Sequence, residues 1–381
     1  MSVVSIDCPG NITFGPGCLD QMMRDYLASG KKRIFIVSIE SLLNKLKTSL
    51  DLLQDNGIAL RTNLSVQAEP TFSDVEKVLA EARDFLPDTV VGIGGGSVMD
   101  LAKLVAAFIT LKKPVRDYVG TGYLTGRQIR LICVPTTSGT GSEVSPNSIL
   151  IDESDNTKKG IISSFLVPDA AYIDPALTLG LSAYVTAYTG MDALTHCIEA
   201  YANKNAHPLT DTIALEGISL ICKNLLKAVQ DIKDIQARTS LALGSLYGGM
   251  CLGPVSTAAV HALAYPLGSD YNVPHGLSNT LLLPYVMEFN LDAAEERYAN
   301  IARAAGVDSS GTQRNLACKG ITFIKKLIVS CNLPGSLHDA GINHKSIERM
   351  AISAMEVKRL LKNNVREISL KNAIDIYQSA F

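Results

Sequence analysis

Several things are missing from this chain, and each absence narrows what it can be. In 381 residues there is no run of about 20 uncharged apolar residues, so no membrane span is expected. The segment from Met1 to Gly17 lacks the basic start and long apolar block of a signal peptide. No Lys/Arg-rich run or basic–aromatic ladder is present, and 35 basic against 37 acidic side chains leave a formal charge of -2. That balance gives a nucleic acid nothing to hold, so no nucleic-acid partner is expected. The 8 cysteines include no C-x-x-C pair, and several lie in apolar runs, which predicts reduced, buried thiols in a cytoplasmic protein. Internal repeats and low-complexity tracts are absent, as is the G-x-G-x-x-G dinucleotide fingerprint.

What is present is a compact globular composition, 47% hydrophobic and 19% charged. At roughly 150 residues per domain the length suggests two domains. The first half alternates short β-branched runs with helical spacing, the pattern of βαβ units around a parallel sheet. Strands are expected at 34–37, 59–66, 89–93, 131–134, 148–151 and 170–173, with helices over 42–53, 72–85 and 98–111. After about residue 180, Ala/Leu-rich segments with helical spacing dominate, among them 211–230, 236–248, 294–305, 317–330, 346–361 and 370–380. The boundary is placed between 180 and 181: an α/β domain over 1–180, then a helical domain over 181–381.

Two loops in the first half carry chemistry. Gly94-Gly95-Gly96-Ser97 follows a strand and precedes a helix, an arrangement that lets backbone N–H groups approach a phosphate. Ser97 with Asp100 three residues on also fits a helix N-cap with an acidic partner. The second loop, Pro135 to Glu143, again follows a strand and is rich in small hydroxyl and backbone donors. Two such loops at strand ends point to a phosphate-bearing cofactor rather than to two coincidental turns.

The second half holds a candidate metal set. Asp192 and His196 are four apart, so on a helix both rise from one face. His261 lies in the apolar run Ala258 to Leu267, where it is either a satisfied core residue or a ligand; His275 follows Pro274 in a turn-like stretch. Taken together, the four make a single site. His207, His338 and His344 lie in polar connections and are assigned to the surface. Three imidazoles and one carboxylate suit Fe2+ or Zn2+.

With these residues in view the chain resembles the iron-containing (group III) alcohol dehydrogenases over essentially its whole length. The likeness rests on Gly94-Gly95-Gly96-Ser97-x-x-Asp100, on Pro135-Thr136-Thr137-x-Gly139-Thr140-Gly141-Ser142-Glu143, on Thr189 to His196, and on His261 to Leu283. The resemblance implies a Rossmann-like α/β domain with a parallel sheet and an all-α C-terminal domain, the architecture also shared by dehydroquinate synthase. It implies interconversion of a small alcohol with its aldehyde or ketone, using NAD or NADP. It implies Asp192, His196, His261 and His275 as metal ligands, Gly94, Gly95, Gly96, Ser97, Thr136 and Thr137 as cofactor contacts, and Lys158 as a lysine reaching the cofactor ribose. A homodimer or larger homo-oligomer is implied as well.

Three positions depart from the family pattern. Ile39 stands where many NAD-preferring members carry an acidic residue, which leaves NADP open. Tyr265 replaces a histidine thought to relay protons, and is either a phenol bonded to water or a packing side chain. Leu283-Pro284-Tyr285 replaces Leu-Pro-His. The rival readings are a dehydroquinate-synthase-like lyase that uses NAD only transiently and a non-catalytic nucleotide sensor.

Overall fold

The computed structural model describes residues 3–381 and divides them into two compact units. One comprises Asp7–Thr137 and Gly141–Thr178; the other comprises Leu179–Phe381 together with Ser138–Thr140 and the described residues before Asp7.

The first unit runs β1 (Asn11–Phe14), α1 (Cys18–Ala28), β2 (Arg33–Val37), α2 (Leu43–Asp55), β3 (Ala59–Asn63), α3 (Phe72–Phe85), β4 (Thr89–Gly94) and α4 (Gly96–Phe108). It continues through β5 (Gly120–Thr121), β6 (Arg130–Pro135), β7 (Asn147–Asp152), β8 (Thr157–Ile162) and β9 (Ala170–Ile173). Six strands form one parallel sheet in the order β1-β9-β6-β4-β2-β3. Its central strands read as unbroken apolar runs because helices cover both faces; every residue of β4 is buried. The chain moves outward from β2 to β3, returns to β4 beside β2, and then builds toward β1. The reversal opens a crevice at the carboxyl ends of β2 and β4, where such sheets bind ligands.

The expected strand at 148–151 exists as β7, but it lies outside the parallel sheet. It pairs antiparallel with β8, and β5 completes a separate three-stranded sheet. The polar residues 152–159 that follow it form the hairpin turn and the first half of β8, whose Thr157, Lys158 and Lys159 hide its strand character.

The second unit is helical: α5 (Ala183–Tyr201), α6 (Pro208–Gln230), α7 (Ile235–Leu252), α8 (Ala259–Tyr271), α9 (His275–Ala304), α10 (Gln313–Ser330), α11 (Ile347–Met355), α12 (Lys358–Leu361) and α13 (Leu370–Ser379). The segment expected as one helix over 346–361 is broken between α11 and α12. The helix expected at 294–305 is the distal part of α9, beyond a kink at Ala294. Fourteen of the 19 residues of α5 are buried, so it runs through the core of this unit. Among the described residues no helix is long and apolar enough to cross a membrane. All 8 cysteines are free, and Cys318 is exposed on α10 where a buried thiol was expected.

Candidate metal centre and nucleotide loops

Asp192, His196 and Glu199 occupy one face of α5, at spacings of four and three residues, and all three are buried. The other helices are brought against this face by small residues. A Cβ on Gly276, at the start of α9, would run into Tyr188 O and come within 3.0 Å of Asp192 Cβ. Only glycine permits that approach, and the approach sets His275 beside Asp192. On the opposite side, a Cβ on Gly248 of α7 would meet His196 Cβ at 3.1 Å, another close helix contact.

The donor atoms converge. One carboxylate oxygen of Asp192, Oδ1, lies 3.8 Å from both His261 Nε2 and His275 Nε2. Asp192, His261 and His275 together form a group whose ligand atoms all fall within 4.8 Å of one another. His196 joins them, with its Nε2 3.0 Å from His261 Nε2. The first three residues are thus a compact candidate metal site, and the fourth sequence candidate lies against it.

The tautomers follow from the outer contacts. His196 Nδ1 donates to Gly139 O at 3.2 Å, because a carbonyl can only accept. His261 Nδ1 donates to Glu199 Oε2 at 2.5 Å, and Glu199 Oε1 accepts from Val260 N at 2.6 Å. In the neutral rings, the form in which imidazole ligates, both Nε2 atoms carry lone pairs that face each other. Burial pulls the His196 pKa down, against the opposing attraction of Asp192. Burial pushes the Asp192 carboxyl up, but the three imidazoles and Asn279 outweigh it and hold the group below its usual range. Facing lone pairs and an ionised carboxylate in a buried space suit a divalent cation, so the residues fit the group. Carboxylate–histidine–metal arrangements use an outer carboxylate as Glu199 is placed here. Glu199 was missed in the sequence, although its signal was there: it is the third polar residue on the buried face of α5.

The glycine turn lies in the α/β unit at the carboxyl end of β4. The helix α4 begins with extended Gly95 as N-cap and no side-chain cap, which leaves the first-turn N–H groups without a capping side chain. The expectation that Ser97 caps this helix is not met, since Ser97 lies inside the first turn. Asp100 instead turns away from the cap: Oδ1 accepts from Ser142 Oγ at 2.6 Å and Oδ2 from Ile149 N at 2.9 Å. Gly94 is required by packing, because a Cβ there would sit 2.6 Å from Val98 Cβ. Thr136 N donates to Gly94 O at 2.9 Å, which ties the second loop to the first. Behind them, fully buried Lys103 donates to Ser145 O and Asn147 O, both at 2.9 Å. Lys158, on β8, is paired with Glu69 at 2.5 Å with its side chain almost fully buried. Ile39 follows β2 in extended conformation and packs on the apolar cores of both sheet faces.

The remaining histidines lie elsewhere. His207 caps α6 by accepting from Leu209 N, and His338 and His344 are exposed and contact the Phe381 ring.

Comparison with known proteins agrees with this geometry. Residues 9–175 match the model of the iron-containing alcohol dehydrogenases, and residues 186–381 match the C-terminal region of the Fe-containing alcohol dehydrogenase family. The chain belongs to the iron-containing alcohol dehydrogenase family. It is 36% identical over 387 residues to long-chain-alcohol dehydrogenase 1 of Geobacillus thermodenitrificans, covering 100% of this chain and 98% of that one. A solved 1,3-propanediol oxidoreductase superposes with a TM-score of 0.96 at 32% identity, covering 100% of both chains. A sulfoacetaldehyde reductase from Bifidobacterium kashiwanohense, solved in complex with NAD+, gives 0.90 at 27% identity, covering 100% of this chain and 99% of that one. As an iron-containing alcohol dehydrogenase, the protein is an oxidoreductase that interconverts alcohols and carbonyl compounds, and these matches do not favour the lyase reading. Membership implies a nicotinamide dinucleotide and a divalent metal.

Proposed function

We propose that the protein transfers a hydride between a small alcohol and NAD or NADP, with Fe2+ or Zn2+ held by Asp192, His196, His261 and His275. Residues 1–180 serve as the dinucleotide-binding domain and 181–381 as the metal-binding and substrate domain. The observation that carries this reading is the meeting of His196 Nε2 and His261 Nε2 at 3.0 Å beside Asp192, with both Nδ1 atoms already committed as donors. When bound, the ion supplies Lewis acidity toward the alcohol or carbonyl oxygen. The chain's own contribution is to fix its charge and direction. One carboxylate and three neutral imidazoles leave a net charge of about +1, and Gly139 and Glu199 keep the His196 and His261 rings turned inward.

At the other site, Gly94, Gly95, Gly96 and Ser97 offer backbone donors to the pyrophosphate, with Thr136, Thr137 and Lys158 as further cofactor contacts. Support for NAD comes from the NAD+ complex of the sulfoacetaldehyde reductase relative. Ile39 places no carboxylate against a 2′-phosphate, which keeps NADP within the proposal. The relatives named above act on quite different alcohols and aldehydes, so the substrate is taken no further than a small alcohol and its aldehyde or ketone. The free cysteines fit a reducing, cytoplasmic setting, and family habit suggests a homodimer or larger homo-oligomer, which sedimentation equilibrium would test.

The deciding experiment replaces His261 or His275 with Ala. Metal content and NAD(P)H oxidation are then measured with a panel of small aldehydes and both nucleotides. Both variants are expected to lose most of their metal and their turnover. Full metal content in both would refute the four-ligand site, and absence of net NAD(P)H turnover in the metal-loaded wild type would return the lyase to consideration.

A further inference from the structure

Asn279 lies one turn beyond His275 on α9 and is fully buried. Its Nδ2 is 2.7 Å from Asp192 Oδ1, 3.0 Å from His261 Nε2 and 3.3 Å from His275 Nε2. The carboxamide thus faces three of the four candidate ligands at once. Its orientation is determined by chemistry. The reverse amide would set a carbonyl oxygen against a carboxylate oxygen and two imidazole lone pairs, which repel it. With the nitrogen inward, two N–H groups meet three acceptors, and the shortest contact goes to the charged one. The price is visible on the other side of the group, where Oδ1 is buried and has no hydrogen-bond partner among the described residues. A residue kept only to fill space would not need a polar group so poorly satisfied.

We propose that Asn279 is a positioning residue of the metal centre, holding the Asp192 carboxylate for the ion by donating a hydrogen bond to Oδ1. This rests on the metal-centre reading above. The oxygen that accepts from the amide is the same Oδ1 that lies 3.8 Å from both His261 Nε2 and His275 Nε2. Asn279 itself contributes no ligand atom in this arrangement. Its work is to remove the rotational freedom of a short side chain that carries the only negative charge among the four ligands.

The test uses Asn279→Leu, which keeps the volume and removes the polarity, and Asn279→Ala as a second variant should the leucine protein not fold. Folding is checked by circular dichroism and by the unfolding midpoint in chelator. The dissociation constant for Zn2+ or Fe2+ is then measured by competition with a chromophoric chelator, and the Co2+-substituted proteins are compared by their visible ligand-field bands. Metal affinity is expected to fall about 10- to 100-fold, with altered cobalt bands and unchanged NADH binding. Unchanged metal affinity and cobalt spectrum in a folded variant would overturn the proposal. A wild-type protein that binds none of these ions would overturn the metal centre itself, a result distinguishable from failure of Asn279 alone.

Discussion

Glu199 and Gly139 do the same task with different groups, each occupying the outer nitrogen of an imidazole so that the inner one keeps its lone pair. Glu199 is the stronger of the two holds, because a carboxylate also makes its imidazole more basic. Replacing it with Gln leaves a carbonyl that still accepts from Nδ1 but removes the charge. Glu199→Gln is therefore expected to weaken metal binding by roughly 10-fold, and Glu199→Ala by more, toward 100-fold. Chelator competition measures both, and equal affinity in wild type and Glu199→Ala would remove Glu199 from the centre. At this scale the sequence was informative where a residue type is scarce. With 6 histidines in the chain, the few in apolar or turn settings stood out. Asn279 was not legible because its type is common, and Glu199, although on the same helical face as Asp192 and His196, shows its role only once α8 packs on α5 and brings His261 to it.

Among the elements, β2, β4, β6 and β9 could be read because a strand buried on both faces is a short apolar run between turn residues. The strand β1 escaped because it is a four-residue edge with one exposed residue, and β8 because it carries two lysines. The helices α8 and the first part of α9 were hidden by Pro266 and Pro284 in their interiors, where proline usually ends a helix. The loop from Pro135 to Glu143 stood out in the sequence by its small hydroxyl residues, but what supports it did not. It closes on buried Glu143, whose carboxyl is pushed up to about 7 by burial, against its own backbone N–H and Lys103. A carboxyl raised in the folded state contributes nothing adverse while protonated in both states. Stability is fully present below the unfolded value near 4.5 and is lost as pH rises through the folded value near 7. Glu143→Gln is expected to raise the urea midpoint of the α/β unit at pH 8 and to leave it nearly unchanged at pH 4, flattening the pH profile between. Equal slopes in wild type and variant would show that Glu143 does not carry this cost.

Across the whole chain, the division into an α/β half and a helical half was readable from pattern, because short apolar strands alternating with helical spacing give way to helical spacing alone. The pattern alone does not show the candidate metal site, which depends on how distant helices of the second unit meet. His196 and His261 are 65 residues apart, and Asp192 and Asn279 are 87 apart. Such contacts are the last a folding chain can make, since the entropy of closing long loops must be met before they contribute. The ion therefore cannot act as a nucleus. It should leave the refolding rate of the helical unit unchanged and appear wholly in a slower unfolding rate, so that a loaded molecule is distinguished by its lifetime rather than by how quickly it forms. Stopped-flow refolding and unfolding with and without Zn2+ would show this, and acceleration of refolding by the ion would contradict it.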